Sequence, residues 1–197
     1  MIGNIIVING GSSVGKTTLA RTLQAKLREP HLLTGGDIFF LERPPFFLSI
    51  ANDDEPLTGD GYQVRFKDGL LHEVTVGPLA LRWNEEMFHT VAHWADRGNH
   101  VIVDAVLHGK ALAEGMLRGL GDRPVFHIGI SCPLEVAISW EKARGDRALG
   151  GAAYFHPLVH GHYPYDLEID TSATPTDIAV DQIITALGNR GFSNSAR

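Results

Sequence analysis

The run Gly10-Gly11-Ser12-Ser13-Val14-Gly15-Lys16-Thr17 constrains this chain more than any other part of it. It matches G-x-x-x-x-G-K-[ST] in full. A glycine-rich turn by itself would say little, so the flanks matter. Asn4 to Asn9, almost wholly apolar, precedes it and reads as a strand covered on both faces. A helical pattern follows, with Leu19, Leu23 and Leu27 on one stripe and Pro30 as its stop. Strand, turn and helix in that order make a cradle for phosphate. Glycines let backbone N–H groups turn inward around an anion, and the helix start adds the positive end of its dipole. The expected nucleotide-binding set is Gly10, Gly11, Ser12, Ser13, Val14, Gly15, Lys16, Thr17 and Thr18. Lys16 would place its charge on the β- and γ-phosphates, and Thr17 would offer a hydroxyl to Mg²⁺. The implied ligand and cofactor are ATP and Mg²⁺.

Strand and helix patterns alternate along the rest of the chain, which predicts an α/β fold around a parallel sheet. Further strands are expected at His31 to Leu33, His100 to Asp104, Pro124 to Ile130 and Leu167 to Asp170. Helices are expected at Leu79 to Arg97, Lys110 to Leu120, from Pro133 onward, and after Thr174. Thr174-Pro175-Thr176-Asp177 reads as a capping box with proline at the first helical position. Trp83 and Trp94, and Val136, Trp140 and Ala143, recur at helical spacing and are expected to face the core. Two short runs around Lys67-Asp68-Gly69 signal a hairpin. Residues 1–190 are expected to form one domain, with a hairpin insertion over 60–77 and a mobile loop or lid over 144–164. Residues 191–197 read as a flexible tail.

The balance of 17 basic against 23 acidic residues leaves a net charge of −6. Nucleic-acid binders carry a basic footprint, and an acidic chain of this kind argues against that class. No run approaches the length of a membrane span, and the N-terminus lacks the basic start of a secretory signal. Cys132 is the single cysteine, so no intrachain disulfide can form, and the cytoplasm is the expected compartment.

Several further residues have the chemistry that a phosphate cradle needs. Asp104 ends the apolar strand Val101-Ile102-Val103 and can hold Mg²⁺, or else cap the strand. Asp37 follows Gly35-Gly36 at the end of a short strand, where ligands bind in open α/β sheets. It can accept a proton from an attacking hydroxyl, or serve as the N-cap of a helix over Ile38 to Glu42. Arg144 and Arg147 open the expected lid and can meet phosphate oxygens, or lie in a solvated helix end. Phe39, Phe40, Phe46 and Phe47 can line a substrate pocket or form core beneath a long loop. His156, His160 and His162 fit no defensible zinc spacing and are expected to contact ligand within the lid.

The runs NGGSSVGKT, GGD at 35–37, VIVDAV at 101–106, ARGDR at 143–147 and YDLEIDT at 165–171 together resemble the chloramphenicol phosphotransferase-like proteins. Only the segment near 50–78 is expanded relative to that family. The resemblance implies a three-layer P-loop NTPase fold with a nucleoside-monophosphate-kinase-like, five-stranded parallel sheet and a lid. It implies ATP-dependent phosphorylation of a hydroxyl on a small molecule, chloramphenicol being the family's acceptor. Gly15, Lys16 and Thr17 would hold ATP and Mg²⁺, Asp37 would be the general base, and Arg144 and Arg147 the lid arginines. The alternatives are a kinase of a metabolite or nucleotide-sugar, and an ATP-binding regulatory module without transfer activity.

Overall fold

The computed structural model describes residues 2–51, 57, 59–145 and 148–192. Five parallel strands make the central sheet: β1 (Ile5–Gly10), β2 (His31–Gly35), β6 (His100–Ala105), β7 (Val125–Ser131) and β8 (Leu167–Asp170), in the order β2-β6-β1-β7-β8. Every residue of β1 is buried, which is why that strand reads as a continuous apolar run.

The alternation of β1 feeds two separate cores. Ile6 and Ile8 pack with Leu19 and Leu23 of α1 (Lys16–Lys26), Ala137 of α5 (Leu134–Arg144), and Val180 and Ile183 of α7 (Thr176–Asn189). Ile5 and Val7 pack on the other face with Met87, Phe88 and Val91 of α3 (Pro78–Asp96), and with Leu112 and Met116 of α4 (Lys110–Leu120). Helices therefore cover both faces, giving the expected three layers. Each fully buried aliphatic side chain contributes about 1.5–3 kcal/mol of transfer free energy, so the two cores dominate stability.

A second sheet lies around the expected hairpin. It joins β3 (Leu48–Ala51), β4 (Tyr62–Lys67) and β5 (Leu70–Val76), in the order β3-β4-β5. Asp68 and Gly69 both have positive φ, 51° and 76°, and form the tight turn of the β4–β5 hairpin. The pairing of β3 with β4 is parallel, and neither strand shows it locally. The acidic run Asp53-Asp54-Glu55 lies outside the described residues.

Several expectations need correction. Pro133 and Pro175 are N-caps rather than first helical residues, so Thr174 does not hold the capping position and the expected capping box is not formed. Trp140 is 37% exposed, and Ala143 beside it is also exposed. Their stripe on α5 faces an open cleft, and the helix rests on Ala137 and Glu141 instead. Trp83 stacks on Phe47 at 4.6 Å, within a third apolar cluster that also holds Phe40 and Ala80. Phe40 and Phe47 are thus core beneath the loop, while Phe46 is exposed.

The segment expected to be a mobile loop over 144–164 is packed where it is described. It holds the short helix α6 (Gly151–Phe155), and it buries Ala152, Val159 and Tyr163. Leu71 N donates to Leu149 O, and Tyr154 Oη exchanges hydrogen bonds with the backbone of Val74. These contacts join the segment to the hairpin. Phe192, expected in the tail, packs edge-on against Phe126.

Candidate active site

The cradle takes its shape from two backbone choices. Ser13 and Gly15 have φ of 59° and 85°, left-handed values that turn the chain tightly before the helix. Gly15 is the N-cap of α1 and has no side chain to satisfy the first helical N–H groups. Such donors, with the dipole behind them, are the groups that an anion can meet. Lys16 is only 7% exposed, and its Nζ donates to Gly11 O at 2.5 Å, which curls the side chain back over the loop.

Thr17 Oγ1 donates to Asp104 Oδ2 at 2.6 Å, so an alcohol and a carboxylate meet beside the cradle. Both are hard oxygen donors on rigid elements, and a pair of that kind suits Mg²⁺, which binds through few protein groups and keeps phosphate or water as its other ligands. Asp104 reaches this place through the register of β6. Gly35 of β2 pairs with Asp104, and a Cβ at Gly35 would lie 2.2 Å from Asp104 O. Only glycine permits that approach.

Asp37 lies on α2 (Gly36–Phe39), a single turn whose N-cap is Gly35, so the aspartate does not cap a helix. It is exposed and lines the cleft, as do Lys16, Thr17, Asp104 and Arg144. That cleft has a volume of about 1400 Å³ and runs from Thr171 and Thr176 at one end to Tyr62, Asn84 and His108 at the other. Drug-sized pockets span roughly 300–1000 Å³, so a nucleotide and a second small molecule fit together. Arg147 lies outside the described residues.

The three histidines of the packed segment have separate partners. His156 Nε2 lies 3.1 Å from Cys132 O, His160 Nδ1 2.9 Å from Tyr165 Oη, and His162 Nε2 2.8 Å from Leu158 O. His156 and His160 tie the segment to Cys132 and Tyr165 outside it, and His162 braces it from within. Burial, helped by Asp170 and Glu135, pushes the Cys132 thiol up, away from nucleophilic character.

Two contributors, Asn9 and Glu141, were not found by sequence reasoning, and a third, Thr171, was read only as the end of the YDLEIDT run. Asn9 is fully buried at the end of β1; its Nδ2 donates to Val159 O and Tyr165 Oη, both at 2.8 Å, and its Oδ1 accepts from Leu107 N at 2.9 Å. One side chain thus ties the cradle to the packed segment and to the loop after β6. Its signal was a lone amide closing an apolar strand. Glu141 is 6% exposed and accepts from Gly150 N at 2.9 Å and Ala152 N at 2.8 Å, anchoring α6 one turn before Arg144. Thr171 Oγ1 donates to Val14 O at 2.8 Å and holds the cradle from the β8 side.

This is the architecture of the P-loop kinases, and solved structures agree. A sugar kinase from Janibacter sp. HTCC2649 superposes with a TM-score of 0.64 at 17% identity, covering 94% of this chain and 95% of that one. The tunicamycin resistance protein of Deinococcus radiodurans gives 0.62 at 19% identity, with 98% of both chains covered. The APS kinase CysC of Mycobacterium tuberculosis gives 0.53 at 14% identity, covering 95% and 98%. Within that class, the sequence pattern of the chloramphenicol phosphotransferase-like proteins matches residues 3–187, and the chain belongs to that family. A curated relative from Mycobacterium tuberculosis, provisionally named an O-phosphotransferase, is 29% identical over 180 residues, covering 88% of this chain and 77% of its own. The protein is a kinase-type enzyme. No helix among the described residues is long and apolar enough to cross a membrane.

Proposed function

We propose that the protein moves the γ-phosphoryl group of ATP onto a hydroxyl of a small molecule, with a chloramphenicol-like alcohol as the favoured acceptor. The observation that carries this reading is that Asp37 and the hydrogen-bonded Thr17–Asp104 pair line one cleft together with the cradle. Amides of the cradle and the Lys16 ammonium hold the β- and γ-phosphates. Thr17 and Asp104 are the residues that would hold Mg²⁺, which when bound neutralises phosphate charge.

Asp37 accepts the proton of the acceptor hydroxyl as its oxygen bonds to the γ-phosphorus. The bond from that phosphorus to the bridging oxygen breaks, and ADP leaves with the electron pair. Arg144, and Arg147 by its place in the sequence, offset charge on the transferred group. A lid role for the stretch that begins at Arg144 would exclude water as a competing acceptor. The acceptor preference comes from the family, whose name carries chloramphenicol.

The test is ADP release from ATP and Mg²⁺ with and without chloramphenicol, and with Asp37→Asn as control. Chloramphenicol-dependent release that disappears in the variant is the expected result. Release that ignores chloramphenicol but responds to another alcohol would move the protein to a metabolite kinase. Release that no alcohol stimulates would remove the transfer reaction.

A further inference from the structure

The end of the cleft away from the β8 side has its own chemistry, and the mechanism above does not use it. Tyr62 of β4, Asn84 of α3 and His108 from the loop after β6 line it together. Asn84 is 8% exposed, and both Nδ2 protons are committed, to Ala80 O at 2.8 Å and to Tyr62 Oη at 2.6 Å. The amide therefore orients the phenol by donating to its oxygen. That leaves the Tyr62 O–H proton to be given and the Asn84 carbonyl oxygen to accept.

His108 adds a third function. Its Nδ1 lies 3.2 Å from Val106 O, and a carbonyl can only accept, so Nδ1 carries the hydrogen. Nε2 is then the lone-pair nitrogen. It is buried and has no hydrogen-bond partner among the described residues. Buried polar atoms are nearly always satisfied, so an orphan beside a cleft calls for a ligand group. The His108 ring lies edge-on to Phe155 at 4.9 Å and 6.4 Å from the Tyr62 ring, so apolar faces flank the polar atoms.

We infer that Tyr62, Asn84 and His108 form the acceptor-reading wall, and that it selects an uncharged alcohol carrying a second polar group with an N–H or O–H to donate. This rests on the phosphotransferase reading and deepens it. The donor of the acceptor molecule meets His108 Nε2, and an oxygen of it takes the Tyr62 O–H. Burial keeps both side chains neutral: it lowers the His108 imidazole below its ordinary range and pushes Tyr62 up to about 12. The described cations that line the cleft, Lys16, Arg21 and Arg144, are all on α1 or at the end of α5, none on this wall. An anionic acceptor would be desolvated here without compensation. Tyr62 belongs to the expanded segment, so that segment's role is to supply specificity.

Four probes test this on the full chain loaded with AMP-PNP and Mg²⁺, by calorimetry, with ADP release from ATP measured in parallel. Chloramphenicol and N-acetylglucosamine are neutral and carry hydroxyl and amide N–H groups; gluconate and N-acetylglucosamine 1-phosphate are anionic. A neutral probe should bind, and both anionic probes should bind more weakly by about 10-fold or more. Tyr62→Phe and His108→Phe should each raise that probe's Kd about 10-fold while the Kd for AMP-PNP stays put. Tighter binding of an anionic probe, no binding of either neutral one, or an unchanged Kd in both variants would overturn the inference. If a variant unfolds early, the neutral-against-anionic comparison in the unsubstituted chain decides. Neutral binding that the variants weaken, without ADP release for any probe, would support the wall and remove the phosphotransfer reading instead.

Discussion

The cradle of this cleft is made from consecutive residues, Gly10 to Thr17, between one strand and one helix. The opposite wall is assembled from β4, α3 and the loop after β6. At the cradle, the groups proposed to act belong to the backbone: N–H groups, a left-handed Ser13 and a helix start with no side-chain cap. At the wall they belong to side chains, and Tyr62 takes its orientation from Asn84 on another element. Phosphate is the same in every nucleotide, so a local and rigid solution serves. An acceptor differs from enzyme to enzyme, and side chains on separate elements can change without disturbing the cradle. The neighbouring sugar kinase and APS kinase share the fold at below 20% identity, as that division allows.

The largest effect that would sharpen the contrast is at Asp37, which lines the same cleft as both regions. Asp37→Asn should lower kcat by a factor on the order of 10²–10⁴ and leave nucleotide affinity almost unchanged, read by single-turnover transfer and by nucleotide titration. Equal losses in both would assign Asp37 to the cradle and blur the division. Next comes Lys16→Met, expected to cost about 10²–10³ in kcat with the unfolding midpoint little changed, since the removed group acts on phosphate charge.

Asp104→Asn should raise the Mg²⁺ concentration needed for half-maximal rate by about 10- to 100-fold. A metal titration that matches the unsubstituted enzyme would take Asp104 out of the metal site. Glu141→Ala should destabilise the fold by about 1–3 kcal/mol, because the N–H groups of Gly150 and Ala152 lose their buried acceptor; denaturant unfolding reads this.

The smallest effect is shared by both ends. Burial lowers the imidazoles of His108, beside the wall, and His160, behind the cradle, below the ordinary value of 6.5. A depressed folded pKa gives stability that is fully present above the unfolded value and is lost as pH falls through the folded one. The thermal midpoint should therefore decline as pH drops below about 6.5, and His108→Phe should flatten part of that decline.

The chain's local patterns were readable wherever neighbours in sequence are neighbours in space. The octapeptide, the continuous burial of β1 and the Asp68-Gly69 turn each depend on a few adjacent residues. Five strands and the helices between them follow from the periods of apolar residues. Trp140 shows where that reading fails: Val136 of the same stripe packs on the core while Trp140 and Ala143 line the cleft, and helical spacing alone cannot tell the two apart. The packing of the 144–164 segment was hidden for a related reason. Its glycines and histidines suggest mobility, yet Asn9, Glu141 and β5 hold it through partners distant in sequence.

The sequence by itself determined the glycine-rich cradle, the α/β alternation and the family, because each is written in short-range order. Tertiary structure alone decided which side chains meet at the wall. It also decided the parallel pairing of β3 with β4 and the register that brings Gly35 against Asp104. Those outcomes depend on packing between elements far apart in the chain, where the free energy comes from shared burial and from hydrogen bonds that no local pattern encodes.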